Sequence, residues 1–397
     1  MKPKKDLFNI GSYTWEELKT IMSDPAILLV FIVANLIYPL IYCGAYSPEQ
    51  VKDLDIAIVD RDNSVISRKF IRMLDATEGV KVSRRVPNME SAKELFYDSK
   101  VRGIVSIPDG FAKRVQAGEQ SSVSIYADAS YFLLYKQLYS SAVFTYTTLN
   151  GGIFIHKELI KGSNMQSALQ SYTPVKFEVA DLYNPYASYG SFVMPPLILV
   201  IIQQTLLIGI GILGGTRKEI RKYSIRKELN TRDVKLMHFV LGKFLAYFLI
   251  FMLIGMFSLV WVHSWFGYPH KTSYWELLTL YVPYLTAIIF FGMTIAVFFR
   301  RRENALLFMV FLSIPVMFTT GATWPVEGIP TFLRQLFYVF PSTFMVPAYL
   351  RVRIMGAETH HVSSEIYALL IQCVIYFITS YIAIKWFINQ ILQEDKE

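Results

Sequence analysis

The chain has 397 residues, of which 53% are hydrophobic and 15% aromatic, a composition that excludes an ordinary soluble enzyme of this length. Its net charge of +8 is gathered in short stretches between apolar runs, so the basic excess reads as membrane topology rather than as a nucleic-acid surface. The two cysteines, Cys43 and Cys373, both lie in apolar runs and supply neither a disulfide framework nor a zinc site.

In chain order, residues 1–24 place Leu7, Ile10, Trp15, Leu18, Ile21 and Met22 at helical spacing beside Glu16, Glu17 and Lys19. This pattern predicts an amphipathic helix along the cytoplasmic interface. Asp24-Pro25 then opens a first span over 25–46, with Asp suited to cap the helix and Pro tolerated in its first turn. The run is too long for a secretory signal and has no small-residue cleavage site, so it is expected to remain as an anchor.

From 47 to 189 acids and bases nearly balance, and the segment is long enough for its own core. LDIAIVD (54–60), GVKVSRR (79–85), VRGIVSIP (101–108) and SSVSIYAD (121–128) read as short strands, with helical patterns starting near Ser64, Asn88 and Asp109. Strands alternating with helices predict a mixed α/β domain inserted on the extracytoplasmic side. Beyond it, 130–170 reads as longer helices rich in Tyr and Phe, broken at Gly151-Gly152 and at Gly162.

The membrane domain resumes over 190–390, with apolar runs near 192–214, 237–262, 277–299, 305–320 and 366–388. Counting the first, six transmembrane helices result, each long enough for about 30 Å of hydrocarbon or nearly so. Residues 215–235 hold eight Lys/Arg against three acids, which makes that loop cytoplasmic; Arg300, Arg301 and Arg302 mark a second inner loop. The connection 264–275 has one lysine and is assigned outside. Both termini, including the tail 391–397, are then cytoplasmic.

Between the fifth and sixth spans lies TGATWPVEGIPTFLRQLFYVFPSTF. Unpaired backbone is costly in hydrocarbon, so helix breakers there survive only where protein or a water-filled cavity shields them. The span before it reaches only about 24 Å by Thr320 at 1.5 Å per residue, so the chain turns near Gly321. Trp324-Pro325 and Gly328-Ile329-Pro330 supply turns, and TFLRQLFYVF is a half-length helix ending before Pro341. A re-entrant hairpin over 321–347 is predicted, with Gly321, Trp324, Pro325, Glu327, Gly328, Pro330 and Pro341 as its turning and gating residues. The alternative, a full crossing by 332–350, has to carry Arg334 and internal prolines through the bilayer. Glu327 either lines an exit route or sits at the interface in water.

Order and spacing of these segments resemble the membrane subunits of type-2 ABC exporters along almost the whole chain. SDPAILLVFIVANLIYPLIYCGAY is similar to that family's first helix, and IAIVDRDNSVISRKF with VRGIVSIPDGFAKRVQAGEQSSVSIYADAS to its extracytoplasmic domain. LYNPYASYGSFVMPP resembles the Asn-Pro approach to the second helix. The Gly, Pro, Pro pattern before the last helix is present as well. The chain departs from the family at Pro195-Pro196, where Pro-Gly is common, and in GGTRKEIRK at the start of the inner loop.

The resemblance implies a half-transporter: two permeases, identical or paired with a relative, with a separate cytoplasmic ABC ATPase subunit that binds ATP and Mg. No GxxxxGK[ST] loop occurs in the sequence, so ATPase activity is expected only in the partner. By the same resemblance the loop 215–235 would carry a coupling helix against the ATPase, through Arg217, Lys218, Glu219, Arg226, Lys227, Glu228, Leu229, Thr231 and Arg232. The rival reading of that loop is a solvated basic turn.

Other motifs carry little. GIGILG (209–214) matches GxGxxG but closes an apolar span and follows no strand, which favours close helix packing over a dinucleotide site. His263, His270, His360 and His361 fall in or near external turns without metal-ligand spacing and read as interfacial polar residues. No catalytic, cofactor or metal residue is assigned. The reading is a bacterial inner-membrane permease that exports a hydrophobic or amphiphilic, drug-like or lipid-like compound, with a periplasmic adaptor as a further partner. Two rival classes are a receptor with an external ligand-binding domain and an ion-coupled secondary transporter. Against the first, the tail after Trp386 is too short for an output module; for the second, Lys243 alone is a candidate ionisable residue in a span.

Overall fold

A helix crosses a bilayer when its apolar stretch is long enough and its ends are capped, and both conditions are met repeatedly. In the computed structural model, which describes residues 10–46, 51–175, 182–184, 188–220 and 236–393 (backbone alone at 217–220 and 391–393), six helices qualify by length and hydropathy. They are Pro25–Ala45, Tyr189–Thr216, Leu236–Trp265, Tyr274–Ala296, Arg302–Thr319 and Thr359–Gln390. Asp24 caps the first through Ala26 N at 2.9 Å and Ile27 N at 3.4 Å, with Pro25 in the first turn. A reciprocal Ser273–Glu276 box caps the fourth. The chain divides into two compact units, one of Met1–Glu49 with Asp181–Glu397 and one of Gln50–Ala180.

The first unit is helical. Its leading helix, Ile10–Ser23, packs on the third span. Gly242 lets the two backbones meet, since a Cβ there would stand 3.0 Å from Ile10 O and 3.2 Å from Thr14 N. Thr14 Oγ1 donates to Gly242 O at 3.1 Å, and the Tyr13 and Phe239 rings meet edge-on at 5.5 Å. Glu17, only 4% exposed, then receives Lys243 Nζ at 3.2 Å and the Tyr247 hydroxyl. Trp15 and Met22 on the opposite side are exposed.

Side chains also stitch the first three spans. The first widens to a π turn at Leu29–Val33, and Asn35 Nδ2 reaches back to Phe31 O at 2.9 Å and across to Thr205 Oγ1 at 2.8 Å. Gly211 and Gly214 of the second span stand against Ala305 and Ala296, so GIGILG is packing surface inside a helix that runs on to Ile220.

The second unit holds a four-stranded sheet in the order β2-β1-β3-β4, with β1 Leu54–Asp60, β2 Val80–Val86, β3 Gly103–Ile107 and β4 Ser124–Ala127. β1 is parallel to both neighbours and β4 antiparallel to β3. Because β1 is central, its side chains are buried on both faces. Ile56 and Ile58 pack with Phe70, Ile71 and Leu74 of the helix Val65–Asp75 and with Leu138. Ala57 and Val59 pack with Ala92 and Ile104. Ser64 and Asn88 cap the helices that follow β1 and β2.

One expectation fails. The helix Phe132–Ile160 runs straight through Gly151-Gly152. Two helical glycines cost about 1 kcal/mol each relative to Ala, and contact outweighs that: Gly151 is buried under the Tyr172 ring, which would meet a Cβ at 2.9 Å. Gly162, at φ +93°, lies just past the helix end.

The buried Glu17–Lys243 pair gives a testable asymmetry. Lys243→Met or Glu17→Gln alone removes one half of a buried pair and is expected to destabilise the folded chain by about 3–5 kcal/mol, whereas the double variant loses less than the two single losses added together. Thermal unfolding in detergent checks this; equal losses that simply add in the double variant would refute a mutual pairing.

Candidate functional site

The stretch between the fifth and sixth spans is where backbone continuity is lost. After Thr319 the chain turns through Gly321 at φ +84°, a left-handed conformation that favours glycine. A 3-10 turn Val326–Gly328, a helix Thr331–Leu336, a second 3-10 turn Phe337–Val339 and a helix Ser342–Tyr349 follow, and a π turn Leu350–Ile354 ends the segment. Trp324, Pro325, Glu327, Gly328 and Pro330 are exposed, as is Arg334, while Pro341 is buried.

The break itself falls at Phe337–Ser342, and side chains meet three of its carbonyls and one of its amides. Thr343 Oγ1 donates to Phe337 O at 2.7 Å, Gln372 Nε2 to Tyr338 O at 2.7 Å, and Tyr376 OH to Val339 O at 2.5 Å. On the other side of the break Ser342 N donates to Gln203 Oε1 and Gln203 Nε2 to Ser342 Oγ, both at 2.9 Å. Gln203 is fully buried. It lies 14 residues past Tyr189 and 13 before Thr216, at the middle of the second span. Aromatic rings close over this polar node: Phe337 stacks on Phe340 at 5.7 Å, and Phe291 of the fourth span meets Phe340 edge-on at 5.6 Å and Tyr376 at 5.0 Å.

The gating residues named from sequence therefore divide. Gly321, Pro325, Pro330 and Pro341 shape the turns, whereas Trp324 and Glu327 point away from the packed core. The residues that hold the break, Gln203, Thr343, Gln372 and Tyr376, were not singled out from sequence. A signal existed for one of them: Gln203-Gln204-Thr205 is a polar triplet in the middle of a span of mean hydropathy 2.3, and intramembrane polar residues are costly enough to need a reason.

At one end of the spans His263 corrects its reading as an interfacial residue, because it is fully buried. Its Nδ1 stands 2.9 Å from Ser258 O and its Nε2 3.1 Å from Tyr349 OH. A carbonyl can only accept, so Nδ1 carries the proton and Nε2 accepts from the tyrosine. His270, His360 and His361 are exposed. Of the coupling residues, Arg217, Lys218 and Glu219 continue the helix of the second span. Arg226, Lys227, Glu228, Leu229, Thr231 and Arg232 lie outside the described residues. Among the described residues no group of three or more His, Cys, Asp or Glu is placed to hold a metal ion.

Gln203→Leu fills the space but leaves Ser342 N unpaired. It is expected to cost about 1–3 kcal/mol, read as a lowered midpoint of thermal unfolding in detergent; an unchanged midpoint would show that the clamp holds nothing.

Comparison with known proteins agrees with this architecture. The family model described as ABC-2 family transporter protein matches residues 26–382. Over 356 residues the chain is 22% identical to the linearmycin resistance permease protein LnrN of Bacillus subtilis, covering 86% of this chain and 90% of that protein. It is 20% identical over 369 residues to the inner membrane transport permease YhhJ of Escherichia coli, covering 90% and 91%. The chain belongs to the ABC-2 family of transporter proteins, as a multi-pass integral membrane permease.

Proposed function

We propose that this permease is the membrane subunit of an ATP-driven exporter, which forms the path for a hydrophobic or amphiphilic compound while a separate ABC ATPase subunit hydrolyses ATP. The observation that carries the reading is the family match over 26–382, continuous through the spans and the broken segment. A second permease, identical or related, completes the path. The named resistance function of one relative supports outward transport, and the name of the other supports an inner-membrane location.

In this reading the unit Gln50–Ala180 is the inserted extracytoplasmic α/β domain, both chain ends are cytoplasmic, and 321–347 is a re-entrant hairpin. The packing of Ser342 against the mid-span residue Gln203 supports re-entry: the chain goes in as far as the break and returns. The basic loop 215–235 takes the role of coupling element. Nothing supports ion coupling through Lys243, whose ammonium is held by Glu17.

Two measurements test this. Coexpression with an ABC ATPase encoded beside it should yield a detergent-stable complex whose ATP hydrolysis drives substrate efflux from reconstituted vesicles. Reversing charge at Arg226 and Lys227 together should cut that efflux by roughly tenfold or more, the loss expected when a charged docking contact worth about 1.4 kcal/mol or more is removed. Transport by the purified chain alone, without any ATPase, would overturn the proposal.

A further inference from the structure

Arg353 is the first among the large fully buried side chains of the described residues, at 1% exposure. Its neighbour Arg351 pairs with Glu365, but no carboxylate among the described residues pairs with Arg353. One nitrogen is used: Nη1 donates to Thr272 O at 2.8 Å. Nε and Nη2 are buried and meet no acceptor. These two nitrogens form one edge of the guanidinium, the edge that grips a carboxylate or phosphate with two parallel hydrogen bonds.

No carboxylate lies against that edge among the described residues; its neighbours are neutral hydroxyls and basic groups. Thr272 accepts Nη1 through its carbonyl, and the hydroxyl of this same residue is also buried and unpaired. The Tyr349 hydroxyl also stands beside the guanidinium. Both nitrogens of the His263 ring are already engaged, by Ser258 O and Tyr349 OH. Lys271 N donates to Arg353 O at 3.0 Å, and the Lys271 ammonium lies over the Tyr183 ring at 4.8 Å. A buried cation with two nitrogens unpaired and no counter-charge is costly unless an anion completes it.

We infer that Arg353 and Thr272 form an oxyanion site that takes a phosphate or carboxylate group, closed in this conformation beneath the turn Val352–Gly356. The donor set fixes the ligand class. Two parallel guanidinium N–H groups and one hydroxyl match a planar or tetrahedral oxyanion better than a halide, which offers a single centre. The turn above it is shaped to close: Gly356 has φ +78° and its Cβ position would lie 3.2 Å from Lys271 Cβ. The site lies where the third span ends, the fourth begins and the broken segment ends, so occupancy would tie these three elements together. The assignment does not depend on which compound the permease exports.

The full-length protein in micelles of a maltoside detergent, which carries no phosphate or carboxylate, provides the test. Its thermal midpoint is titrated with inorganic phosphate against chloride at matched ionic strength, and separately by adding phosphatidylglycerol to the micelles. A saturable rise with phosphate identifies a free oxyanion as ligand; a rise with phosphatidylglycerol alone identifies a lipid headgroup. In either case Arg353→Lys, which keeps the charge and loses the paired edge, should weaken half-saturation by roughly tenfold, and Thr272→Val by several-fold. If Arg353→Lys does not fold, Thr272→Val, which strands no charge, decides. No response to either probe, or a response equal to that of chloride, overturns the site. So does a response that Thr272→Val leaves unchanged.

Discussion

The fold depends on one requirement, that a helix interrupted among membrane spans must still pair the backbone groups its interruption frees. Three carbonyls at Phe337, Tyr338 and Val339 and the amide of Ser342 are met by Thr343, Gln372, Tyr376 and Gln203. Those side chains come from the second span, the last span and the segment itself. Continuity in two helices is thus what permits discontinuity in a third. The same bonds set a mechanical condition: the broken segment cannot shift against the second or last span without exchanging partners, so motion there carries those spans along or costs about 1–3 kcal/mol per unpaired group.

Elsewhere in the membrane unit the solution is repeated with different residues. Tyrosine hydroxyls of the fourth span donate to carbonyls of other spans, Tyr281 to Phe251 O at 2.7 Å and Tyr284 to Leu199 O at 2.8 Å. Asn35 serves the carbonyls loosened by its own π turn and still reaches Thr205. Between lipid-compatible surfaces there is no strong hydrophobic drive for one helix to choose another, so such bonds and close glycine contacts specify which helices are neighbours. Glu17 with Lys243 and Tyr247 fixes the leading helix to the third span in the same way.

What the sequence disclosed follows from the range of each signal. Hydropathy is local and marked the spans; Asp24-Pro25, Ser64 and Asn88 are caps read over three or four residues; the short apolar run in LDIAIVD marked β1 from Leu54 to Asp60. Long-range partners were not legible. Gln203 bonds a residue 139 positions away and Lys243 one 226 positions away, and nothing in the residue itself names such a partner. The Gly151-Gly152 pair misled for the same reason, since its local helix penalty was visible and the Tyr172 ring above it was not. His263 looked interfacial because its position in the chain is near a turn, whereas Tyr349, which buries it, comes 86 residues later.

The chemistry of the broken segment has a direction that explains which residues guard it. Pro325, Pro330 and Pro341 each immediately precede a helical piece, where an N–H would have no partner in any case, so their missing donors cost little. The shortage that remains is of donors for carbonyls left behind at the end of the preceding piece. A carbonyl can be satisfied only by an N–H or O–H, and the residues found there are Thr343, Gln372 and Tyr376, each presenting one. Acidic side chains could not serve, which is why Glu327 stays at the exposed turn while neutral donors occupy the interior. The choice of amide and hydroxyl over charge lets the node be buried without a counter-ion, and leaves the two ends of the spans as the places where charged residues gather.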